Sequence, residues 1–398
     1  MSTLIVGAGQ AGLALAARLR AGGETGPITL VGEEGDPPYQ RPPLSKAYLT
    51  GATTRERLWL RPREWYAGNG IDLRLGTRVT AVSPAERTVT AGGEHLGWDR
   101  LALCTGAIPR RLPANRGGDL EGVFTLRTLA DADAMRPFVR EGGHAVVVGG
   151  GYIGLEAAAV CRQAGMKVTV LEAAARILGR VAAPETADWF RALHRANGVT
   201  VREGTALDRL EGEGAVSGAV LADGTEIPAT LVVCGIGIVP DAALAATAGL
   251  MTEDGIDVDA RGRTALEGVW AAGDCARLPW RGRRVRLESV QNAIDQAEAV
   301  AGDMLGIGAD YDPVPWFWSD QYDAKLQIAG LSAGHDAVHV RQAGGARSHW
   351  YYRDGVLIAV DAMNAPRDYM IGKRLLEAGR SPGPEALGAE DLKPLLGA

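Results

Sequence analysis

The chain has 398 residues, of which 46% are hydrophobic, and its formal net charge is −6. This length and composition predict a globular protein of several domains, each with an ordinary hydrophobic core. The acidic balance argues against nucleic acid and acidic membranes as partners, and no apolar run approaches the length of a membrane span.

The first predicted elements are a strand, "TLIV", a glycine-rich turn and an alanine-rich helix, and the same pattern recurs after "HAVVV". The two copies are about one domain length apart, which predicts a duplicated module. Each turn contains three glycines and a small or apolar residue before the third glycine. These residues are Gly7, Gly9, Ala11 and Gly12 in the first copy, and Gly149, Gly151, Ile153 and Gly154 in the second.

A turn of this kind binds the pyrophosphate of a dinucleotide. The first glycine permits the tight turn, the second lets the backbone approach the phosphates, and the third lets the helix pack on the strand. Each copy then reaches a second apolar run that ends in acid, at Glu33 and at Glu172, close to the interval that this fingerprint expects. We therefore predict two dinucleotide sites, each with a carboxylate for the adenosine ribose.

Two such sites in one chain suggest one tightly held cofactor and one that exchanges, for which FAD and a nicotinamide are the natural pair. The segment "TALEGVWAAGDCARL" brings an acid, Asp274, to the ribityl and phosphate region of the flavin in two-dinucleotide flavoproteins. Because this segment lies far beyond the second turn, the FAD domain must be discontinuous.

The four cysteines stand alone in sequence, so we expect neither disulfides nor a metal site. Four small buried side chains are the simplest interpretation. The first predicted strand leaves no room for a secretory signal, and we expect a cytoplasmic protein.

With these motifs in place, the chain resembles the FAD-dependent ferredoxin reductases of bacterial cytochrome P450 and Rieske dioxygenase systems, the putidaredoxin reductase type, in the glutathione-reductase-like flavoprotein superfamily. The resemblance rests on "PPYQRPPLSKAYL", "GGGYIGLE", "GIGIVPD", "AAGDCAR" and "PWFWSDQYDAKLQIAGLS". It implies electron transfer from NADH through FAD to a [2Fe-2S] ferredoxin. A rubredoxin reductase, a diaphorase-like NADH oxidoreductase and an apoptosis-inducing-factor-like redox protein remain alternatives.

The chain departs from the disulfide reductases of that superfamily, because no cysteine precedes Cys104. Electrons must therefore leave the flavin directly for an external acceptor.

The predicted fold class is α/β, with two Rossmann-like dinucleotide-binding domains and a C-terminal α+β interface domain. The FAD domain covers residues 1–109 and 238–314, the NAD domain 110–237, and the C-terminal domain 315–398. The hairpin signals Asp223-Gly224 and Asp354-Gly355 fall in the second and third of these. The last stretch, from "EAGRSPGPEALG" onward, is rich in Gly and Pro and is expected to be loosely attached.

The resemblance assigns Lys46 and Glu156 to the reaction centre, as an ammonium beside the flavin ring and its carboxylate partner next to the nicotinamide. An exposed lysine and a carboxylate that merely complements the helix dipole are the alternatives. Tyr152 resembles an aromatic gate over the flavin, although packing without movement would look the same.

The resemblance adds FAD contacts at Arg127, Val79, Val290 and Trp318. The alternatives are a surface salt bridge for Arg127, plain core packing for Val79 and Val290, and an aromatic core that joins domains for Trp318. The aromatic segment is Trp316, Phe317 and Trp318.

For the nicotinamide cofactor, the resemblance adds Arg180 on the adenylate side and the segment Gly235, Ile236 and Gly237. Glu172 favours NADH, because a carboxylate accepts from the ribose 2′-hydroxyl and repels a 2′-phosphate. Arg176 and Arg180 keep NADPH open as an alternative.

An acidic reductase needs a local basic face to bind an acidic ferredoxin. The candidate residues are Arg61, Arg63, Lys325, Arg353, Arg367, Lys373 and Arg374. Scattered solubilising charges are the alternative, and we expect a monomer or a weak dimer.

Overall fold

The computed structural model describes residues 1–250 and 254–397. Its α-helices, numbered α1 to α8 in chain order, are Gln10–Ala21, Arg63–Gly68, Leu129–Met135, Tyr152–Gln163, Pro184–Ala196, Ala243–Thr247, Val290–Met304 and Pro366–Glu377. Its strands, numbered β1 to β26 in the same way, are Thr3–Val6, Ile28–Val31, Ile71–Arg74, Val79–Ser83, Thr88–Ala91, Glu94–Gly97, Arg100–Leu103, Ala107–Pro109, Val123–Phe124, His144–Val148, Lys167–Leu171, Thr200–Arg202, Leu207–Glu211, Gly218–Leu221, Glu226–Pro228, Leu231–Cys234, Ile238–Pro240, Ile256–Asp257, Val269–Ala271, Ala276–Trp280, Arg283–Val285, Trp316–Gln321, Ala324–Gly330, Ala337–Ala343, Ala346–Arg353 and Val356–Met363.

The chain forms two compact units. The first comprises Met1–Arg41, Thr54–Ile108 and Ile238–Pro313, and the second comprises Pro42–Thr53, Pro109–Gly237 and Val314–Ala398. Residues 42–53, which the sequence analysis assigned to the FAD domain, are grouped with the second unit. The division into three domains stays a prediction.

The first unit is built on a parallel sheet in the order β19-β7-β1-β2-β3. All four residues of β1 are buried, as expected for a central strand with both faces covered. Leu15 and Leu19 of α1 pack on Ile5 and Leu30 of the sheet, and α7 contributes Ala297 to the same core. This packing holds the segment between β1 and α1 at the carboxyl end of the sheet.

The second unit contains a parallel sheet in the order β12-β11-β10-β16-β9. In both sheets the strand before the glycine turn is central, the next two strands lie on one side of it, and returning strands lie on the other. This is a Rossmann arrangement with a topological switch point beside the glycine turn. The predicted turn at Asp223-Gly224 is confirmed, since it joins β14 to β15 and Gly224 has a φ of +83°.

The C-terminal part of the second unit is an antiparallel sheet in the order β22-β23-β26-β25-β24, with α8 packed on it. Tyr369 and Leu375 of α8 are buried against Val360 of β26. The predicted turn Asp354-Gly355 joins β25 to β26, with φ of 52° and 74°. The α+β prediction for this part is therefore confirmed.

The prediction of a loosely attached end is wrong. Leu387 and Leu392 are 5% and 2% exposed and belong to the core between α8 and the sheet. The Arg341 guanidinium donates to the backbone oxygens of Leu387 and Glu390 at 2.8 and 2.7 Å. The Gly and Pro residues shape short turns here, while two leucines and a β24 arginine hold the segment in place.

Candidate active site

The first glycine turn joins β1 to α1 and has the geometry of a phosphate-binding turn. Gly7 has a φ of +114°, and a Cβ added there would lie 2.1 Å from the Cys104 carbonyl oxygen. A Cβ on Gly12 would lie 2.0 Å from the oxygen of Gly7, whereas a Cβ on Gly9 would meet nothing within 4 Å. The first and third glycines are therefore required by the fold, and Gly9 faces open space.

The second turn, between β10 and α4, repeats this geometry. An added Cβ would lie 2.3 Å from the Gly235 oxygen at Gly149 and 2.2 Å from the Gly149 oxygen at Gly154. Gly151 again faces open space. Both helices begin without a side-chain cap and without an acid in the first turn, so their first N–H groups are left for an anion. The two turns fit the pyrophosphates of FAD and NAD(H).

The acid after the second strand is placed differently in the two copies. Glu172 directly follows β11, and its oxygens accept from the backbone N–H groups of Gly150 and Ala174, both at 2.8 Å. Glu33 lies one residue further from its strand, is exposed, and pairs with Arg78 at 3.0 Å. Glu172 is thus fixed against its glycine turn, whereas Glu33 is held only by a surface ion pair.

The remaining predicted FAD residues of the first unit lie on three elements. Gly273, which precedes Asp274, lies beside α1, so that a Cβ added to it would be 3.1 Å from the Ala11 Cβ. Val290 is the first residue of α7, after a Ser289 cap, and Val79 begins β4 next to Arg78. The unit therefore brings Ala11 close to Gly273, the residue before Asp274.

The predicted pair of Lys46 and Glu156 is present within the second unit. The Lys46 Nζ lies 2.9 Å from Glu156 Oε1, and the Glu156 side chain is 4% exposed. Glu156 is in the second turn of α4, and a short 3₁₀ turn at Pro42–Ser45 brings Lys46 to it. The Ser45 hydroxyl donates to Glu156 Oε2 and the Ser319 hydroxyl donates to Oε1, both at 2.7 Å.

Aromatic side chains lie at the beginning of α4 and along β22 in the same unit. The Tyr152 ring stacks on Phe317 with centroids 4.7 Å apart, and its hydroxyl lies 3.4 Å from the Val181 oxygen. Trp318 of β22 lies against Trp316, with centroids 5.6 Å apart. Tyr152 is therefore packed in this structure, with its neighbour Ile153 46% exposed.

The segment Gly235 to Gly237 follows β16 and meets the glycine turn. The Gly235 N–H donates to the Val148 oxygen at 2.7 Å, and a Cβ added to Gly237 would lie 3.4 Å from the exposed Arg180 guanidinium. This places Gly235, Ile236, Gly237 and Arg180 on the side of the sheet that carries Gly149. Arg127, by contrast, precedes α3, where its backbone N–H donates to Asp131 at 3.0 Å.

Sequence reasoning missed four polar residues of this site: Ser45, Ser319, Gln321 and His194. All four are buried. One signal was available, because Phe317, Ser319 and Gln321 alternate along β22 and so share one face of a strand that begins with three aromatic residues.

Residues 1–297 match the family described as pyridine nucleotide-disulphide oxidoreductase, and residues 316–396 match the reductase C-terminal family. The chain therefore belongs to the pyridine nucleotide-disulphide oxidoreductase family. It is an oxidoreductase of FAD and NAD(H), as the sequence predicted, and the α/β fold class is confirmed.

The relatives place it among the ferredoxin reductases. The ferredoxin reductase subunit of 5,5'-dehydrodivanillate O-demethylase from Sphingobium sp. is 44% identical, with 94% of this chain and 93% of the relative covered. Putidaredoxin reductase from Pseudomonas putida is 40% identical, with 98% and 95% covered. The covalent complex of putidaredoxin reductase and putidaredoxin contains a chain with a TM-score of 0.96 and 40% identity, covering 100% of this chain and 98% of that one. The resemblance inferred from the sequence is confirmed.

The described residues contain neither a candidate membrane span nor a candidate metal site. Within 1–250 and 254–397, no helix is long and apolar enough to cross a membrane. The same residues contain no group of three or more His, Cys, Asp or Glu side chains that could hold a metal ion.

Proposed function

We propose that the chain passes electrons from NADH, through non-covalently bound FAD, one at a time to a small [2Fe-2S] ferredoxin that feeds a cytochrome P450 or a Rieske dioxygenase. The observation that carries this proposal is the pair of open glycine turns, at Gly9 and at Gly151, in one chain. The ferredoxin as acceptor is supported by the names of the relatives, which are ferredoxin reductases. Bound FAD supplies the change from a two-electron donor to a one-electron acceptor.

In this proposal, the second Rossmann unit binds the nicotinamide cofactor. The first N–H groups of α4, after Gly151, bind the pyrophosphate, and the Glu172 carboxylate accepts from the ribose hydroxyls. The backbone N–H groups of Gly150 and Ala174 fix the Glu172 carboxylate, which would repel a 2′-phosphate bound beside it and so favours NADH. Arg180 attracts the adenylate side.

The residues proposed for FAD are those of the sequence analysis. Those in the first unit are Gly7, Gly9, Ala11, Gly12, Glu33, Val79, Asp274 and Val290. Those in the second unit are Lys46, Arg127 and Trp318. Gly9 and the proximity of Ala11 to the Asp274 segment support the first group most directly.

The proposed catalytic pair is Lys46 and Glu156. The buried carboxylate, 2.9 Å from the lysine nitrogen, fixes the position of the Lys46 ammonium. The ammonium can then stabilise negative charge that develops beside it during electron uptake. Glu156 itself has three donors, from Lys46, Ser45 and Ser319, so that its charge is fully compensated.

In this proposal, electrons pass from FAD to the external acceptor without a dithiol intermediate. All four cysteines are free and buried, and none precedes Cys104 in the sequence. We keep the cytoplasm as the proposed location, since isolated buried thiols suit a reducing compartment. The three-domain division and a monomer or weak dimer complete the proposal.

The test is stopped-flow reduction of the holoprotein by NADH, followed by oxidation with a [2Fe-2S] ferredoxin or with a rubredoxin. We expect NADH to bleach the flavin absorbance, and the ferredoxin to restore it while becoming reduced. Efficient reaction with rubredoxin alone would overturn the assignment of the acceptor. Failure of NADH to bleach the flavin would overturn the whole proposal.

A further inference from the structure

Glu156 is the end of a longer chain of hydrogen bonds inside the second unit. The Ser319 hydroxyl lies 2.7 Å from Glu156 Oε1, and the Gln321 Nε2 lies 3.1 Å from the Ser319 oxygen. The Gln321 Oε1 lies 2.8 Å from His194 Nε2, and the Tyr322 hydroxyl lies 3.4 Å from His194 Nδ1. Every link joins side chains, and the three residues between Glu156 and Tyr322 are at most 1% exposed.

The direction of this chain follows from its charged end. An ionised carboxylate only accepts, so Ser319 must donate its one proton to Glu156. The Ser319 oxygen can then only accept from Gln321, whose amide nitrogen must face it. The amide oxygen therefore faces His194, which must carry its proton on Nε2. The charge of Glu156 thus dictates the tautomer of a histidine three links away.

Two further observations concern His194 and its neighbour Tyr322. Burial lowers the pKa of His194, against the hydrogen bond with Gln321 that raises it, so the ring is neutral and holds one proton. Tyr322 has a φ of 56°, in the left-handed region that a bulky residue enters at a cost, within the turn between β22 and β23. This turn brings its ring to His194, with centroids 5.3 Å apart.

We propose that Ser319, Gln321 and His194 form a one-directional hydrogen-bond chain that positions the Glu156 carboxylate on Lys46. Gln321 and His194 are then positioning residues, which act on the reaction only through Ser319. This inference deepens the proposed function and rests on it for the role of the Lys46–Glu156 pair. The hydrogen-bond chain does not transfer a proton, because the Gln321 amide in its middle is a poor proton relay. Its effect is to fix one rotamer of Glu156.

The first test detects the hydrogen-bond chain directly and does not depend on catalysis. Nitrogen-15 NMR of the holoprotein, with the His194 signals assigned by a His194→Gln variant, reports which ring nitrogen carries the proton. We expect Nε2–H in the wild type and an admixture of the other tautomer in Ser319→Ala. A wild-type His194 with its proton on Nδ1 would overturn the proposal.

The second test uses the rate constant of flavin reduction by NADH in single turnover. Ser319→Ala removes a hydrogen bond to a charged group, and we expect the rate constant to fall on the order of tenfold while the dissociation constant of NADH is unchanged. Ser319→Thr keeps the hydroxyl and should restore the rate. Gln321→Leu, which can neither donate nor accept, should resemble Ser319→Ala.

A matched control is available in the same sheet. The buried Ser348 also donates to a carboxylate, Asp368 at 2.6 Å, and accepts from an N–H, that of Trp350 at 3.0 Å, but it is not linked to Glu156. Ser348→Ala should leave flavin reduction unchanged. An equal loss in Ser348→Ala and Ser319→Ala would mean a general packing effect and would overturn the proposal.

A double-mutant cycle separates action through Ser319 from a direct role of His194. His194→Leu should slow flavin reduction in the wild-type background and have no further effect in Ser319→Ala. Additive losses would contradict the chain. If the wild type is not reduced by NADH at all, the proposed function fails, and the NMR result still decides whether the chain exists.

Discussion

Thr186, near the start of α5, lies at the centre of a second buried cluster. Its hydroxyl donates to Asp361 Oδ2 at 2.7 Å and lies 2.8 Å from His349 Nδ1 and 3.0 Å from the Tyr351 hydroxyl. The Arg347 Nε–H donates to His349 Nε2 at 2.9 Å. His349 therefore carries its proton on Nδ1, and a second proton has no room on Nε2.

The two titratable groups of this cluster oppose each other as the pH changes. Burial raises the pKa of Asp361 to about 6, against hydrogen bonds from Thr186 and Tyr351 that lower it. Burial, followed by the charge of Arg347, lowers the pKa of His349 to about 4. From pH 7 to pH 5, Asp361 therefore raises the free energy of unfolding by about 1 kcal/mol, because its pKa is higher in the folded than in the unfolded state. Over the same range, His349 lowers the free energy of unfolding by about 2 kcal/mol, because its pKa is lower in the folded than in the unfolded state.

Single substitutions should separate these opposing contributions. Relative to the wild type, the free energy of unfolding of His349→Gln should rise by about 2 kcal/mol from pH 7 to pH 5, and that of Asp361→Asn should fall by about 1 kcal/mol. Urea unfolding of the holoprotein, followed by circular dichroism at both pH values, measures these differences, and the contributions of all other groups cancel. His339→Gln, on β24 and outside the cluster, is the control and should show no such change. Differences that are flat with pH, or of the same sign in both variants, would refute the reasoning.

Four further outcomes are expected. Denaturation should release FAD, and chromatography that finds FMN or no flavin would contradict the first glycine turn as an FAD site. Glu172→Gln should raise the KM for NADH by about tenfold or more and bring NADH and NADPH closer together in steady-state assays with ferricyanide, since one charged contact and one repulsion are lost; a wild type that prefers NADPH would contradict this role. Lys46→Met should slow single-turnover flavin reduction while NADH affinity, measured by titration, is kept, and an unchanged rate would remove Lys46 from the reaction. Arg374→Glu and Lys373→Glu should each raise the ferredoxin KM, because each changes the charge of α8 by two units, and the effect should fade at high salt; KM values equal to the wild type at all salt concentrations would exclude this helix from docking.

The sequence predicted those parts of the fold in which the tertiary structure requires the same residues that the local sequence pattern shows. Glycine is required at positions 7 and 149 because a backbone oxygen lies too close for any side chain. The glycine pattern therefore predicts the topology of both sheets. The turn at Asp354-Gly355 is of the same kind, because its left-handed backbone selects the residues.

The errors and omissions concern contacts between segments distant in sequence. The C-terminal segment looked loose because Gly and Pro dominate its composition, while its attachment depends on Leu387 and on Arg341, a residue of another strand. Gln321 and His194 were missed because nothing near either residue in sequence points to the other. Only the packing of α5 beside β22 makes them partners.

The carboxylate of Glu156 has a consequence for the order of events on the ribosome. Its donors come from Ser45, Lys46 and Ser319, the last of which is 163 residues further along the chain. A nascent chain that already contains both glycine turns therefore still lacks one of the hydrogen-bond donors to Glu156. Full compensation of this buried charge arrives only after β22 has been synthesised and has paired into its sheet. The full set of contacts around Glu156 therefore depends on the C-terminal sheet, which is synthesised after both glycine turns.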